Sequence, residues 1–397
     1  MEGAFDILVA GAGPAGLAAA ALSARSGAKT ICLTGPDTDV DPRTVAIMQP
    51  GLRLLQALEL WPGDLQGHSS PLKKLRLVDD TGGILAAPEL TFDARETNED
   101  AFGWNVPLKA LCPALRARCE ALGVVFVSDS ATGLELRGNF AAVSCADGDD
   151  VSARVVFAAD GRASVLRKAA GIAAQEWAYD QAAIVTHFAH SADHRGISSE
   201  YHTPSGPFTT VPLPGRRSSL VWMERPARAA EIAALSGVEL AREIQIASHG
   251  ELGLITDAAA CHVFPMRGLT AETFAKSRVF LIGEAAHVVP PIGAQGLNMS
   301  LRDAALAAEL AGDALQWGDD PGDDKLLVRY DSARRADVVP RQTVIDLMNR
   351  SLLSNLLPLE LGRALGIGIA GHVPFIRSRV MRQGLAPETG LPRLMRA

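Results

Sequence analysis

FDILVAGAGPAGLAAAALSARSGAKTICL, Phe5 to Leu33, is the stretch on which the fold of this 397-residue chain turns. The apolar run Phe5 to Ala10 has the length of a buried strand. GAGPAG follows at Gly11 to Gly16, an alanine-rich stretch from Leu17 to Ala24 predicts a helix, and a second strand is expected over Lys29 to Leu33. Strand, glycine turn, helix and strand at this spacing make a βαβ unit, the context in which a GxGxxG pattern carries meaning. Gly11, Gly13 and Gly16 are expected to permit the tight turn, the approach of backbone to a pyrophosphate and the packing of helix on sheet, with Ala12, Pro14 and Ala15 completing the loop. The helix start would offer free N–H groups and the positive end of its dipole to phosphate. An acidic residue ordinarily ends the second strand and binds ribose. Thr34 stands there instead, with Asp37 and Asp39 within reach.

The composition is that of an ordinary globular protein, 48% apolar and 21% charged, and the length allows two domains sharing a large core. A net charge of −7 argues against a nucleic-acid partner, and Arg216-Arg217 and Arg334-Arg335 read as solvated faces. Five cysteines without a CxxC pair give no metal site and point to a reducing cytosol. The most apolar stretch near the C-terminus, Leu352 to Ile376, is broken by Glu360, Arg363, Pro358 and Pro374. It is therefore no clean span, and it can meet a membrane surface, a partner or the core.

Two further glycine turns lie far along the chain. VVFAADGRASVLR (Val155 to Arg167) puts Asp160-Gly161 at the end of a fully apolar strand, where open α/β sheets bind ligands; Asp160 is equally a candidate helix N-cap. GEAAHVVPPIGAQGLN (Gly283 to Asn298) follows a strand at Val279 to Ile282 and precedes a helix predicted over Gly296 to Trp317. Glu284 can reach a ribityl hydroxyl. Pro290-Pro291 stiffen the chain before Gly293, Ala294, Gln295 and Gly296, with Leu297 and Asn298, bring backbone close to a flat ligand whose reduced form the helix dipole would stabilise. Between these motifs, strands are expected at Ala182 to Ala189, Ser198 to Thr203, Phe208 to Pro212 and Ser218 to Met223. Helices are expected at Pro226 to Leu235 and Val238 to Ala247, alternating segments at Leu72 to Val78 and Ile84 to Ala87, and Asp319 to Asp324 as a plain acidic loop.

Together the three motifs resemble the class A flavoprotein aromatic hydroxylases, the p-hydroxybenzoate hydroxylase-like group, and within it the ubiquinone-biosynthesis hydroxylases. GAGPAG matches the pyrophosphate motif, ADGRASVLR the DGxxSxxR motif and GEAAHVVPPIGAQGLNMSLRDA the ribityl and isoalloxazine motif, while DPRTVAI (Asp41 to Ile47) and FGWNVP (Phe102 to Pro107) suggest the subfamily. The pattern departs at Thr34, at Leu108, and at Glu284 where aspartate is usual. The resemblance implies an α/β fold: a Rossmann-type FAD domain (1–71, 102–177, 265–340), an inserted antiparallel-sheet substrate domain (72–101, 178–264) and C-terminal helices (341–397). It implies FAD, NAD(P)H as cosubstrate, O2, and hydroxylation of a prenylated aromatic ring through a flavin C4a-hydroperoxide.

The resemblance places Arg43, Pro291 and Gly293 at the flavin as positioning residues, with His287 structural and no acid or base assigned. The roof sheet would offer Tyr201, Phe208, Thr210, Pro212 and Trp222 to the substrate, with His187, His202, Val211 and Met223 as further candidates on the same strands. A cytoplasmic protein touching the inner membrane or a ubiquinone-synthesis complex is the expectation. The alternatives are an FAD hydroxylase of a small soluble aromatic and a flavin-binding accessory subunit without turnover.

Overall fold

In the computed structural model, which describes residues 5–36, 41–82, 88–353, Arg377, Met381 and 390–396, the opening βαβ unit is β1 (Phe5–Ala10), α1 (Pro14–Arg25) and β2 (Thr30–Leu33). The chain continues through β3 (Thr44–Met48), α2 (Gln49–Ala57), α3 (Gly63–Gly67), β4 (Ser70–Leu72), β5 (Lys74–Asp79), β6 (Leu90–Asp93), β7 (Gly103–Pro107) and α4 (Leu108–Ala121). Then come β8 (Val125–Val127), β9 (Ala131–Arg137), β10 (Phe140–Cys145), β11 (Val151–Ala158) and α5 (Val165–Ala169). The middle third comprises β12 (Ala174–His190), β13 (Ile197–Thr203), β14 (Gly206–Leu213), β15 (Arg217–Glu224), α6 (Pro226–Ala233), α7 (Gly237–Ala247), β16 (Ile255–Thr256) and β17 (His262–Ala271). β18 (Ala275–Lys276), β19 (Val279–Leu281), β20 (His287–Val288), α8 (Gln295–Trp317) and α9 (Asp324–Leu352) follow. Asp37, Asp39, the segment Ile84 to Ala87 and most of Leu352 to Ile376 lie outside the described residues.

Strands β19-β11-β1-β2-β8 form a parallel sheet, edged by β18 and carrying the β9–β10 hairpin on β11. Both faces of its central strands are buried, which is why Ile7 to Ala10 of β1 and Val155 to Ala158 of β11 read as continuous apolar runs. The alanines of α1 are buried against α8, and small side chains on both helices let the two axes approach closely. The second sheet, in the order β20-β17-β12-β15-β14-β13-β5-β6, is antiparallel at its centre, with β5 and β13 parallel. β3-β7-β4 form a small sheet between the two. The expected boundaries at 177/178 and 264/265 fall inside β12 and β17, two strands paired from Ala174–Ala271 to Val185–His262 with a shift of register between Ala178 and Ala182. The boundary expected at 340/341 falls inside α9.

On the outer face of the second sheet, Ile184, Tyr201, Phe208 and Trp222 pack under Ala229 and Ile232 of α6 and Leu240 and Ile244 of α7. The end of the chain closes on the core: Leu391 and Met395 join the main cluster, and Met381 packs with Met48, Phe92 and Phe102. Arg377 pairs with Glu96 at 2.7 Å and lies over the Phe92 ring.

Helices α8 and α9 are joined by buried charges. Asp303 accepts hydrogen bonds from Gly283 N (2.9 Å), His287 Nε2 (2.7 Å) and Arg334 Nε (2.6 Å). Asp337 receives Arg302, Arg334 and Arg341 at 2.8–3.0 Å. Arg334, expected on a solvated face, is thus fully buried, because it is the cation that balances Asp303. The acidic loop is likewise structural: Asp320 grips Arg278 and Asp323 caps α9.

Burial pushes the Asp303 carboxyl up, but His287 and Arg334 beside it outweigh this and hold it below the ordinary value. A carboxylate held low in the fold contributes stability that is complete above its unfolded value of roughly 3.9 and is lost as pH falls through the folded one. Asp303→Asn leaves Arg334 buried without its counter-charge and is expected to cost about 3–5 kcal/mol. Urea unfolding checks this: a lower midpoint at neutral pH, and a shallower fall in stability below about pH 4, are the expected outcomes.

Candidate active site

The first glycine turn is built by contact. Gly11 has φ +109° and donates its N–H to Leu33 O at 2.7 Å; a Cβ there would collide with the Ala159 carbonyl, and one at Gly16 with the Gly11 carbonyl. β1, α1 and the turn after β11 are therefore locked together by two hydrogens where side chains would be. Gly13 differs, because a Cβ built on it meets nothing within 4 Å. It is the N-cap of α1, which has neither a side-chain cap nor an acidic residue in its first turn. Gly11 to Gly16 and Thr34 line one cavity of ≈ 2430 Å³. The Thr34 hydroxyl donates to Gly35 O at 3.1 Å.

The second turn lies beside the first. Asp160 and Gly161 line the cavity, but the Asp160 carboxylate faces α5: it accepts from Ser164 Oγ (2.6 Å) and Leu166 N (3.1 Å). Ser164, rather than Asp160, is the N-cap of α5. Buried Arg167 donates to Ala285 O at 2.9 Å and so ties this turn to the third. Ser164 and Arg167, the serine and arginine of the DGxxSxxR motif, close the loop rather than face the cavity.

In the third turn Gly283 has φ +63° and Glu284 is exposed to the cavity, with no hydrogen-bond partner recorded among the described residues. Pro291, Gly293, Ala294, Gln295, Gly296 and Leu297 line the same cavity. Gly293 (φ +62°) and Gly296 have open space where a Cβ would stand, and α8 starts from Ala294 in the left-handed region without a side-chain cap. The uncapped starts of α1 and α8 thus both border this one space. Asn298, expected at the flavin edge, does not line it. Its amide accepts from Met48 N (2.9 Å) and donates to Ala46 O and Ala294 O (2.7 Å each), fastening β3 to α8. Arg43 lines the cavity with its guanidinium bidentate on Asp41 (2.5–2.9 Å) and over the Phe264 ring at 5.3 Å. Its charge is held by the Asp41 hydrogen bonds, which raise its pKa against the opposing effect of burial.

The inner face of the second sheet roofs the cavity, where the expected Val211 is found, while five of the other expected residues are off by one residue of register. Tyr201, Phe208 and Trp222 sit in the cluster beneath α6 and α7, Thr210 and Pro212 share their face, and none of the five lines the cavity. Side chains alternate along a strand, so the residues presented inward are Ala183 and Val185, Ser198 and Glu200, Thr209 and Val211, and Val221, together with Leu75 and Leu77 of β5. The signal was available: α6 and α7 are amphipathic and need a broad apolar platform, which the large aromatics supply.

The FAD binding domain family matches residues 4–344. Ubiquinone hydroxylase UbiL of Rhodospirillum rubrum is 33% identical over 98% of this chain and 92% of its own. The chain belongs to the FAD-dependent hydroxylase family. The glycine cradle and paired helix ends fit this assignment, and the protein is a flavoprotein monooxygenase. Other relatives of the hydroxylase include the 3-demethoxyubiquinol 3-hydroxylase of Escherichia coli, 28% identical over 88% of each chain. In fold it is similar to the p-nitrophenol 4-monooxygenase PnpA of Pseudomonas putida, with a TM-score of 0.78 at 18% identity over 97% of this chain and 99% of that one.

Gly13→Val and Gly296→Val place atoms only where a ligand would lie. Both variants are expected to keep the wild-type thermal midpoint and to purify colourless, with FAD affinity reduced at least about 100-fold, a loss near 2.7 kcal/mol. Gly16→Ala should instead lower the midpoint itself. Calorimetry and flavin absorbance on the same preparations separate the two outcomes.

Proposed function

We propose that this hydroxylase oxidises the aromatic ring of a prenylated phenol or quinone precursor in ubiquinone biosynthesis, taking electrons from NAD(P)H and oxygen from O2. The observation that carries the reading is the continuity of one cavity, ≈ 2430 Å³, from the cofactor cradle to an apolar sheet face. Small-molecule sites are typically about 300–1,000 Å³, so there is room for a dinucleotide and a second bulky ligand. The names of the relatives at 33% and 28% identity support the same pathway.

In this reading the backbone of Gly11 to Gly16 and the α1 dipole hold the pyrophosphate. Thr34 meets the adenosine ribose and Glu284 a ribityl hydroxyl. The backbone of Asp160-Gly161 borders the cofactor, since the carboxylate is committed to α5. Pro291 and Gly293 would border the flavin ring, and the uncapped start of α8 would stabilise negative charge on it. Arg43, fixed by Asp41, would add a cation to the same wall. The bound flavin supplies the redox chemistry; the chain supplies orientation and exclusion of water.

A lipid-tailed substrate needs an apolar way in. Among the described residues no helix is long and apolar enough to cross a membrane. Val344, Leu347 and Met348 of α9 are exposed, and Val344 and Met348 also line the cavity. They form the rim through which peripheral membrane contact would deliver the substrate. Val344→Glu with Leu347→Glu is expected to reduce co-sedimentation with vesicles of mixed zwitterionic and anionic lipid severalfold, with FAD content unchanged.

Quinone profiling of cells lacking the gene tests the pathway. A prenylated precursor short of one ring oxygen should accumulate and disappear on restoration. An unchanged ubiquinone pool would favour a soluble aromatic substrate instead.

A further inference from the structure

We propose that Glu200, held by His202, receives the free hydroxyl of the aromatic substrate and thereby selects a phenol over a ring whose hydroxyl is blocked. The inference rests on the ring-hydroxylase reading and assigns it a specificity residue.

Glu200 and His202 are two residues apart on β13 and so share the face turned to the cavity. His202 Nε2 bonds Glu200 Oε1 at 2.8 Å. Across the strands Glu200 lies in register with Leu77 on one side and Thr209 on the other, and Thr209 with Val221. Leu77 and Ala294, the N-cap of α8, both pack against the cluster of Met48, Phe92 and Met381, and Glu200 lines the same cavity as Gly293 and Ala294 of the third glycine motif. Arg76 is the other ionisable lining residue of these central strands, and its guanidinium turns to Glu89 and Glu251.

The pair is only half satisfied. His202 is 2% exposed and its Nδ1 has no partner, while Glu200 Oε2 has none recorded among the described residues. A carboxylate and an imidazole on a largely apolar wall cost free energy unless their hydrogen bonds are completed. A purely structural pair would be completed within the protein; this one keeps an acceptor towards the cavity.

A carboxylate is an acceptor only, and a phenolic O–H is a single donor of matching size. The bond is charge-assisted, and it raises electron density on the ring, as oxygen transfer to an aromatic carbon requires. No covalent step is needed at Glu200. A methyl ether offers no donor and would leave the carboxylate unpaired against an apolar ligand, the situation in which a hydrogen-bonding site rejects an analogue most strongly.

The test uses the FAD-loaded protein with two soluble probes, a phenol bearing one isoprenoid unit ortho to its hydroxyl and the methyl ether of the same compound. Dissociation constants are read from perturbation of the flavin absorbance. Wild type should prefer the phenol by about 10- to 100-fold, the range for a hydrogen bond to a charged group. Glu200→Leu should bind both equally, Glu200→Gln should retain part of the preference through its amide oxygen, and His202→Phe should lower it by loosening the carboxylate. A wild-type preference in Glu200→Leu that still carries FAD overturns the proposal. Should that variant lose FAD, a wild-type preference in the near-isosteric Glu200→Gln overturns it equally. If wild type binds neither probe and neither stimulates NAD(P)H oxidation, the hydroxylase reading falls and the proposal with it.

Discussion

The first N–H groups of a helix have no partner within the helix and must find one elsewhere. Here α1 and α8 both begin on the wall of one cavity with no side-chain cap and no acid in the first turn. The chain has met that requirement differently in α5, α7 and α9, where Ser164, Ser236 and Asp323 supply the acceptor. The starts of α1 and α8 on one cavity suit an extended anion, and the remaining architecture fixes their relative position. The crowding of Gly11, Gly16 and Ala159 sets α1 on the parallel sheet, and Arg167 links the turn after β11 to the turn after β19.

α8 is held from behind. Asp303 sits two turns into the helix, where it receives the Gly283 amide at the start of the third motif, His287 four residues beyond, and Arg334 from α9. One buried carboxylate thereby determines both the path of the loop that lines the cavity and the seat of the helix that ends it. Its burial is tolerable because three donors, one of them the Arg334 cation, satisfy it. Arg302 and Asp303 therefore belong with the glycine turn as one unit, although neither reaches the cavity.

Most of the parallel sheet was legible because buried parallel strands are uniformly apolar and their glycine turns answer steric demands that no other residue meets. The positions of β1, α1, β11 and α8 follow to within a few residues. The polar roles were less legible. Asn298 and Asp160 look like ligand contacts in sequence, yet each is taken up by backbone: Asp160 by the start of α5 close by in the chain, Asn298 by β3, about 250 residues away and brought beside α8 only by the fold. Arg334 gave no warning of its burial, since its counter-charge lies 31 residues away on another helix.

The roof shows why strand residues are harder to place than helix residues. An antiparallel strand with two covered faces carries apolar side chains on both, so hydrophobicity alone does not tell which face meets the cavity. The deciding information lies outside the strands. α6 and α7 sit between β15 and β16 and present Ala229, Ile232, Leu240 and Ile244. These small and medium side chains require bulk opposite them, and Tyr201, Phe208 and Trp222 provide it. Once the aromatics are spent on that interface, alternation leaves the inner face to smaller side chains, Ala183, Val185, Thr209 and Val221, which keep the cavity open. The width of the substrate space is thus set by the helices that pack on the opposite side of the sheet.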